Sequence, residues 1–228
     1  MTTSAPKIET YLNTHLLKPG PTITHALTNS DQNGIPAISL APSQGRFLQL
    51  LATATSAKNI LEIGTLGGHS TIWLARALQS GSGGKVTSLD INPHHQSIAT
   101  ENLRFAGVSV PEDVELLLGA ALDILPKLEE EIQAGVREPF DFVFVDADWD
   151  NQHKYFDFGV RVARKGSVIF VDNTVQALLH GGVLEGQGVK GGMGALVEEV
   201  GKDGRVEAVV VQTVGARSFD GFLMGVAN

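Results

Sequence analysis

Short apolar segments alternate along the chain with longer amphipathic ones. The short segments predict buried parallel strands at residues 59–63, 86–90, 114–118, 142–146 and 167–172. The longer segments predict helices at residues 70–79, 93–105, 121–132 and 151–163. This alternation indicates a Rossmann-like, doubly wound α/β fold with helices on both faces of the sheet.

The pattern changes at both ends of the chain. After Asp172, a glycine-rich segment (residues 181–194) precedes a short helix, and two apolar segments at 206–212 and 221–226 predict an antiparallel edge to the sheet. The predicted sheet is therefore seven-stranded and mostly parallel. Residues 1–57 are helical and loop-like in pattern, so we expect a helical N-terminal cap on a single domain spanning residues 1–228.

Composition and charge narrow the classes of partner. The formal net charge of −8 provides no basic surface, so we expect neither nucleic acid nor an anionic membrane as a partner. The chain has no cysteine, and any metal must therefore bind oxygen or imidazole ligands. The apolar runs are strand-length and the first twenty residues carry no secretory pattern, so the sequence predicts a cytoplasmic protein.

A glycine-rich turn follows the first predicted strand, in the order Leu61-Glu62-Ile63-Gly64-Thr65-Leu66-Gly67-Gly68-His69-Ser70. Such a turn before a helix is typical of nucleotide-like ligands, although the spacing matches neither the dinucleotide motif nor a phosphate loop. Asp90 ends the next strand, where a carboxylate accepts hydrogen bonds from ribose. Glu62 would repel a diphosphate but attract a sulfonium amino acid with its ammonium group. Capping of backbone amides remains the alternative role for both acids.

Acidic residues follow two later strands. Asp146 ends one strand, and Asp172-Asn173 end the next. Carboxylate and amide oxygens suit magnesium first, with manganese or calcium as alternatives. A calcium-binding loop disagrees with the residues at its sixth and twelfth positions, and we interpret Asp148 and Asp150 as helix-capping residues.

Together these segments resemble the metal-dependent catechol and caffeoyl-CoA O-methyltransferases, a class I S-adenosylmethionine (SAM) family. The resemblance runs from about residue 40 to residue 226 and includes Ala41-Pro42-Ser43-Gln44-Gly45-Arg46-Phe47-Leu48, the glycine turn, Gly119-Ala120-Ala121-Leu122, Asp146-Ala147-Asp148, Asp172-Asn173-Thr174 and Asp220-Gly221-Phe222. It implies methyl transfer to one hydroxyl of a small vicinal-diol aromatic substrate chelated to a divalent cation. It also implies a homodimer.

The resemblance assigns site residues by position. The implied cofactor-binding residues are Leu40, Glu62, Gly64, Thr65, Ser70, Asp90, Ala121 and Asp146. The implied metal ligands are Asp146, Asp172 and Asn173, the same three that the strand ends indicate.

One position departs from the family. Relatives commonly carry a lysine after the Asp-Ala-Asp stretch as a proposed general base, whereas this chain has Trp149, which cannot accept a proton. We expect the metal, held by the catalytic residue Asp146, to acidify the substrate hydroxyl, with Lys154 as a catalytic helper and His153 as an alternative. A solvated helix face is the other interpretation of Lys154 and His153, and a weaker or altered activity is the other outcome of the change to Trp149. Trp149 is either an aromatic wall for a planar substrate or a packing residue. Two rival functions remain: a non-catalytic cofactor-binding member of the family and a nicotinamide-dependent oxidoreductase.

Overall fold

Helices and strands alternate from residue 59 onward in the computed structural model, which describes residues 4–17, 20–80, 83–185, 192, 194–215 and 219–228. The strands are β1 (Asn59–Ile63), β2 (Lys85–Asp90), β3 (Val114–Leu118), β4 (Phe140–Val145), β5 (Ala163–Val171), β6 (Val206–Val214) and β7 (Phe219–Ala227). The helices are α1 (Ala5–Leu16), α2 (Gly20–Gln32), α3 (Pro42–Ala54), α4 (His69–Gln79), α5 (Pro93–Phe105), α6 (Ala121–Gln133), α7 (Gln152–Val162), α8 (Thr174–His180) and α9 (Ala195–Val200).

The sheet has the predicted mixed character. Its strand order is β3-β2-β1-β4-β5-β7-β6. The pairs β1–β2, β2–β3 and β4–β5 are parallel, and β7 pairs antiparallel with both β5 and β6. The predicted Rossmann-like α/β fold with an antiparallel C-terminal edge is therefore confirmed.

Contacts divide the chain into two compact units, and each has its own apolar core. One unit is Lys7–Lys127, and the other is Leu128–Asn228 together with the first residues of the chain. In the first unit Ile60, Leu61 and Leu74 are fully buried. In the second, the Phe170 ring lies 5.8 Å from that of Phe144 and 4.4 Å from that of Phe222, measured between centroids. The single domain stays a prediction.

Several boundaries differ from the sequence prediction. β4 ends at Val145, so Asp146 lies just beyond the strand, and a 3₁₀ turn at Trp149–Asn151 precedes α7. Helix α8, seven residues long, was not predicted. Of the glycine-rich segment, residues 186–191 and 193 lie outside the described residues. Helices α1, α2 and α3 lie in residues 5–54, and their role as a cap stays a prediction.

No helix in the described part of the chain is long and apolar enough to cross a membrane.

The burial of α4 side chains against the sheet can be tested directly by mutation. Leu74 on α4 is fully buried, whereas Leu184 is 81% exposed. We expect Leu74→Ala to lower the free energy of unfolding by roughly 2–5 kcal/mol, because it removes a buried side chain and leaves a cavity. The matched variant Leu184→Ala should change it by less than about 0.5 kcal/mol. Urea unfolding of both variants measures the difference, and equal values would contradict the placement of Leu74 in the core.

Candidate active site

The glycine turn, residues Gly64–Gly68, joins β1 to α4. Its backbone has positive φ at Gly64 (107°), at Gly68 (79°) and also at Leu66 (47°). The amides of Gly64 and Thr65 both donate to the carbonyl of Leu89, at 2.9 and 3.1 Å. The positive φ angles explain the glycines at both ends of the turn, since other residues adopt them only with strain.

Asp90, the last residue of β2, holds the middle of this turn. Its Oδ2 accepts a 2.8 Å hydrogen bond from the Leu66 amide, and its Oδ1 accepts one of 2.8 Å from the Asn92 amide. The His95 Nδ1 lies 3.3 Å from Oδ1, a contact to which sequence reasoning assigned no role. Each carboxylate oxygen still has acceptor capacity after one backbone bond, so Asp90 can both brace the turn and accept ribose hydroxyls.

Glu62, the residue before the end of β1, is a fully buried carboxylic acid. Its Oε2 accepts hydrogen bonds from the Thr71 and Ser88 hydroxyls, each at 2.5 Å. Its Oε1 is also buried and has no hydrogen-bond partner among the described residues. The parallel register of β1 and β2 explains the Ser88 contact, because it sets Glu62 opposite Ser88.

Burial dominates the acidity of this group. Loss of hydration raises the pKa of Glu62 from 4.5 to about 7, and the negative charge of Asp90 adds to the rise, while the hydroxyls of Ser70, Ser88 and Thr71 oppose it. A cation placed at the unpartnered Oε1 would favour the carboxylate form. The site therefore fits the ammonium group of a sulfonium amino acid, as the sequence predicts.

The other cofactor candidates of the first unit lie at ends of helices or in the turn. Thr65 is buried and its hydroxyl lies 2.6 Å from that of Ser88. Ser70 is buried in the first turn of α4, Leu40 is buried ahead of α3, and Ala121 begins α6. Their contact with one ligand stays a prediction.

Asp146 and Asp172 directly follow two neighbouring parallel strands. β4 pairs with β5 so that Val145 is opposite Val171, and each aspartate is the next residue. The Asp172 amide donates to the Val145 carbonyl at 2.9 Å. Asp172 is only 5% exposed and Asp146 is half-buried. The structure therefore brings these two strand ends together, as the sequence predicts.

Asn173 adopts a left-handed conformation with φ of 55° between β5 and α8. Its Nδ2 donates a 2.9 Å hydrogen bond to Asp220 Oδ2. The other oxygen of Asp220 accepts from the amides of Gln176 and Gly221, at 3.1 and 2.7 Å. Because Nδ2 is engaged, the amide is oriented with Oδ1 directed away from Asp220, and Oδ1 is the atom that a metal would bind.

Gln152, which sequence reasoning missed, braces the same turn from α7. Its side chain is 1% exposed, and its Nε2 donates a 2.8 Å hydrogen bond to the Asp172 carbonyl oxygen. Its Oε1 is buried and has no hydrogen-bond partner among the described residues. No sequence signal distinguishes Gln152 from a surface residue at a helix start.

Two carboxylates and one amide oxygen make a hard ligand set that fits magnesium, manganese or calcium. The described residues include no cluster of three histidine, cysteine, aspartate or glutamate side chains arranged for a metal ion. A metal at this position would therefore depend on Asn173 Oδ1 and on water or substrate oxygens to complete its shell.

The segment after Asp146 is held by local contacts. Asp148 accepts hydrogen bonds from Asn151 Nδ2 at 2.6 Å and from the Tyr155 hydroxyl at 2.5 Å. Asp148 precedes the 3₁₀ turn but makes no capping hydrogen bond to its backbone, and the residue directly before α7 is Asn151, so the predicted helix-capping role of Asp148 is wrong. Its carboxylate holds the segment through side chains instead. Trp149 is half-buried, and its ring lies 5.1 Å from that of His180, between centroids, at an angle of 57°.

Lys154, the predicted catalytic helper, is exposed on α7. Its Nζ donates a 2.8 Å hydrogen bond to Asn151 Oδ1. It lines an open depression of about 590 Å³ together with Asp150, His153 and Glu199, among others. The Nδ1 of His153 is buried and has no hydrogen-bond partner among the described residues.

The raised pKa of Glu62 predicts how the free energy of unfolding depends on pH. Below 4.5 the carboxyl is protonated in both states, and between 4.5 and about 7 only the folded state keeps the proton. The cofactor-free protein should therefore lose stability as pH rises through this window, by up to about 3 kcal/mol from this group. Glu62→Gln removes the effect. In urea unfolding, the free energy of unfolding of the variant minus that of the wild type should therefore be larger at pH 8 than at pH 5. An equal difference at both pH values would contradict the assignment.

Comparison with known proteins identifies the family. A family model described as "O-methyltransferase" matches residues 21–221. A catechol O-methyltransferase from Mycobacterium tuberculosis is 40% identical over 225 residues, which is 98% of this chain and 96% of that protein.

Solved structures agree over the whole chain. An O-methyltransferase from Bacillus cereus in complex with SAH (S-adenosylhomocysteine) has a TM-score of 0.88 at 37% identity, and the match covers 100% of both chains. The O-methyltransferase TomG from Streptomyces achromogenes in complex with SAM has a TM-score of 0.88 at 32% identity, over 100% of this chain and 98% of its own. The rival interpretation as an oxidoreductase is wrong. The chain belongs to the O-methyltransferase family, and the predicted enzyme class, a SAM-dependent O-methyltransferase, is confirmed.

Proposed function

We propose that this enzyme methylates one hydroxyl of a vicinal-diol aromatic substrate, a catechol-type compound, chelated to a divalent cation. The observation that carries the proposal is the pairing of Asp146 and Asp172 at adjacent parallel strand ends, with Asn173 oriented by Asp220. The name of the relative from M. tuberculosis supports the same substrate class.

The donor half of the reaction uses the glycine turn. Glu62 Oε1, a buried acceptor without a hydrogen bond among the described residues, would hold the ammonium group of SAM. Asp90 would hold the ribose hydroxyls, and Gly64, Thr65 and Ser70 would contact the methionine and ribose part. Ala121 would contact the adenine, Leu40 the sulfonium end, and Asp146 both the cofactor and the metal. Methyl transfer is an in-line displacement, so orientation of the two reactants provides much of the rate.

The acceptor half uses Asp146, Asp172 and Asn173 as ligands of magnesium, manganese or calcium. A bound divalent cation lowers the pKa of the coordinated hydroxyl and orients both oxygens of a vicinal diol. Gln152 and Asp220 keep the Asp172-Asn173 turn in place through the contacts described above. The main contribution of the protein to activation of the methyl acceptor is therefore to position these three metal ligands.

Trp149 provides an aromatic wall for the planar substrate instead of a base. Its ring contacts His180, so it is supported on one side, and it lies three residues after Asp146. The proton of the substrate hydroxyl leaves to solvent with help from Lys154, with His153 as the alternative acceptor. Lys154 is exposed, which suits a helper in contact with bulk water.

A homodimer with a cytoplasmic location completes the proposal. The apolar side chains Ile8, Tyr11, Leu12 and Leu16 on α1 are 46–77% exposed, as expected of a surface that a second copy covers.

Removal of the metal should stop turnover and leave cofactor binding intact. We expect Asp172→Ala, or a chelator, to lower kcat for catechol at least about a hundredfold, because several kcal/mol of charge stabilisation is lost. The Kd for S-adenosylhomocysteine (SAH), measured by calorimetry, should change less than about threefold. Asp150→Ala, a change at an exposed aspartate in the segment that follows Asp146, is the control and should stay active. Full activity in the presence of chelator would refute the metal assignment.

Loss of the Trp149 ring should weaken binding of the methyl acceptor, catechol, and leave binding of the methyl donor, SAM, unchanged. We expect Trp149→Ala to raise the KM for catechol up to about tenfold through lost ring contact, with the KM for SAM unchanged. Trp149→Phe should keep most of the affinity, and Lys154→Met should lower kcat by less than about tenfold. Steady-state kinetics with both substrates measure these effects. An unchanged KM for catechol in Trp149→Ala would assign the ring to packing alone.

A further inference from the structure

A buried asparagine on α5 contacts the Gly67 carbonyl of the glycine turn. Asn102 has no exposed surface. Its Nδ2 lies within hydrogen-bond distance of three acceptors: the Gly67 carbonyl at 2.8 Å, the Ser30 hydroxyl at 3.2 Å and the Ala26 carbonyl at 3.3 Å. Its Oδ1 accepts from Asn29 Nδ2 at 2.9 Å. One side chain therefore links α2, α5 and the glycine turn.

The glycine turn also packs tightly on these two helices. A Cβ atom on Gly67 would lie 2.2 Å from the Ser30 hydroxyl, and one on Gly68 would lie 3.2 Å from the Cβ of Ala99. The turn therefore has little room to move toward α2 or α5. Its other side is held by Asp90 and by the carbonyl of Leu89.

We propose that Asn102 is a positioning residue for the cofactor, which sets the conformation of the glycine turn and couples it to α2. The proposal rests on the assignment of this turn to SAM in the proposed function. The Gly67 carbonyl is buried against Asn102, so rotation of the Gly67 peptide away from its present orientation would break a buried hydrogen bond. The N–H of the same peptide, on Gly68, donates to the Thr65 carbonyl at 2.8 Å, so the contact with Asn102 and this bond together fix the shape of the turn against which the cofactor would bind.

Through this hydrogen-bond network, α2 is connected to the glycine turn. Asn29, Ser30 and Ala26 all belong to α2 and all contact Asn102. A buried polar network that is fully paired favours one arrangement strongly, whereas a partly paired one does not. Ligand that binds the ordered turn should therefore also stabilise α2, because both depend on one side chain.

The test compares Asn102→Leu with two controls. Asn102→Leu removes both the donors and the acceptor of the side-chain amide at similar volume. Ser167→Ala is the matched control, because Ser167 is also buried and donates to a carbonyl, that of Phe140 at 3.1 Å. Glu62→Gln reports whether the cofactor uses the glycine turn at all. SAH affinity is measured by calorimetry at a temperature where each variant is folded, and hydrogen exchange of residues 20–32 is measured with and without SAH.

We expect Asn102→Leu to weaken SAH binding about tenfold and to raise the KM for SAM, with kcat at saturating SAM within about twofold of the wild type. SAH should slow hydrogen exchange in α2 of the wild type but not of this variant. Ser167→Ala should lower Tm and leave the Kd for SAH unchanged.

An SAH Kd within twofold of the wild type in Asn102→Leu overturns the inference, whatever its Tm. If Glu62→Gln weakens binding in that case, the cofactor placement stands and only the role of Asn102 fails. If Glu62→Gln also binds normally, the placement at the glycine turn fails with it. Should Asn102→Leu not fold, Ser30→Ala replaces it, and an unchanged Kd together with unchanged exchange in α2 then overturns the inference.

Discussion

A carboxylic acid without solvent contact is the constraint on which the proposed donor site depends. Glu62 is fully buried, and burial alone would keep it protonated near neutral pH. The fold supplies hydroxyls from β2 and α4 to one oxygen and leaves the other without a partner. Such an arrangement is unfavourable for a carboxylate in the free protein, and a cationic ligand would relieve it. If SAM binds as proposed, its ammonium group would supply the partner that Oε1 lacks.

Sequence patterns predicted the strands and the residues at their ends, because both depend on local order in the chain. Apolar runs locate β1, β4 and β5, and the carboxyl ends of parallel strands share an edge. Asp146 and Asp172 could therefore be assigned to one place before any coordinates were known. The exact end of β4 and the existence of α8 could not, because a strand end and a two-turn helix depend on contacts more than on periodicity.

The residues that sequence reasoning missed share a different property. Asn102 and Gln152 are buried amides whose partners lie 20 to 76 residues away along the chain. Asp220 likewise binds Asn173 across 47 positions. No local pattern distinguishes such a side chain from a solvated polar residue on a helix, because its role exists only after the elements pack. The candidate ligand-binding residues thus lie at strand ends that the pattern locates, whereas the side chains that hold them in place come from elements whose packing the pattern does not reveal.

Trp149 replaces a group that can exchange protons with one that can only contact the substrate. A lysine at this position would act on the proton of the acceptor, and its contribution would depend on pH. Indole contributes area and shape instead, and its ring already contacts His180. In the proposed mechanism the hydroxyl is then acidified mainly by a bound cation, and the exposed Lys154 or His153 only helps the proton to leave. That mechanism depends closely on the positions of Asp146, Asp172 and Asn173, and the contacts of Gln152 and Asp220 with the Asp172-Asn173 turn hold two of these three in place.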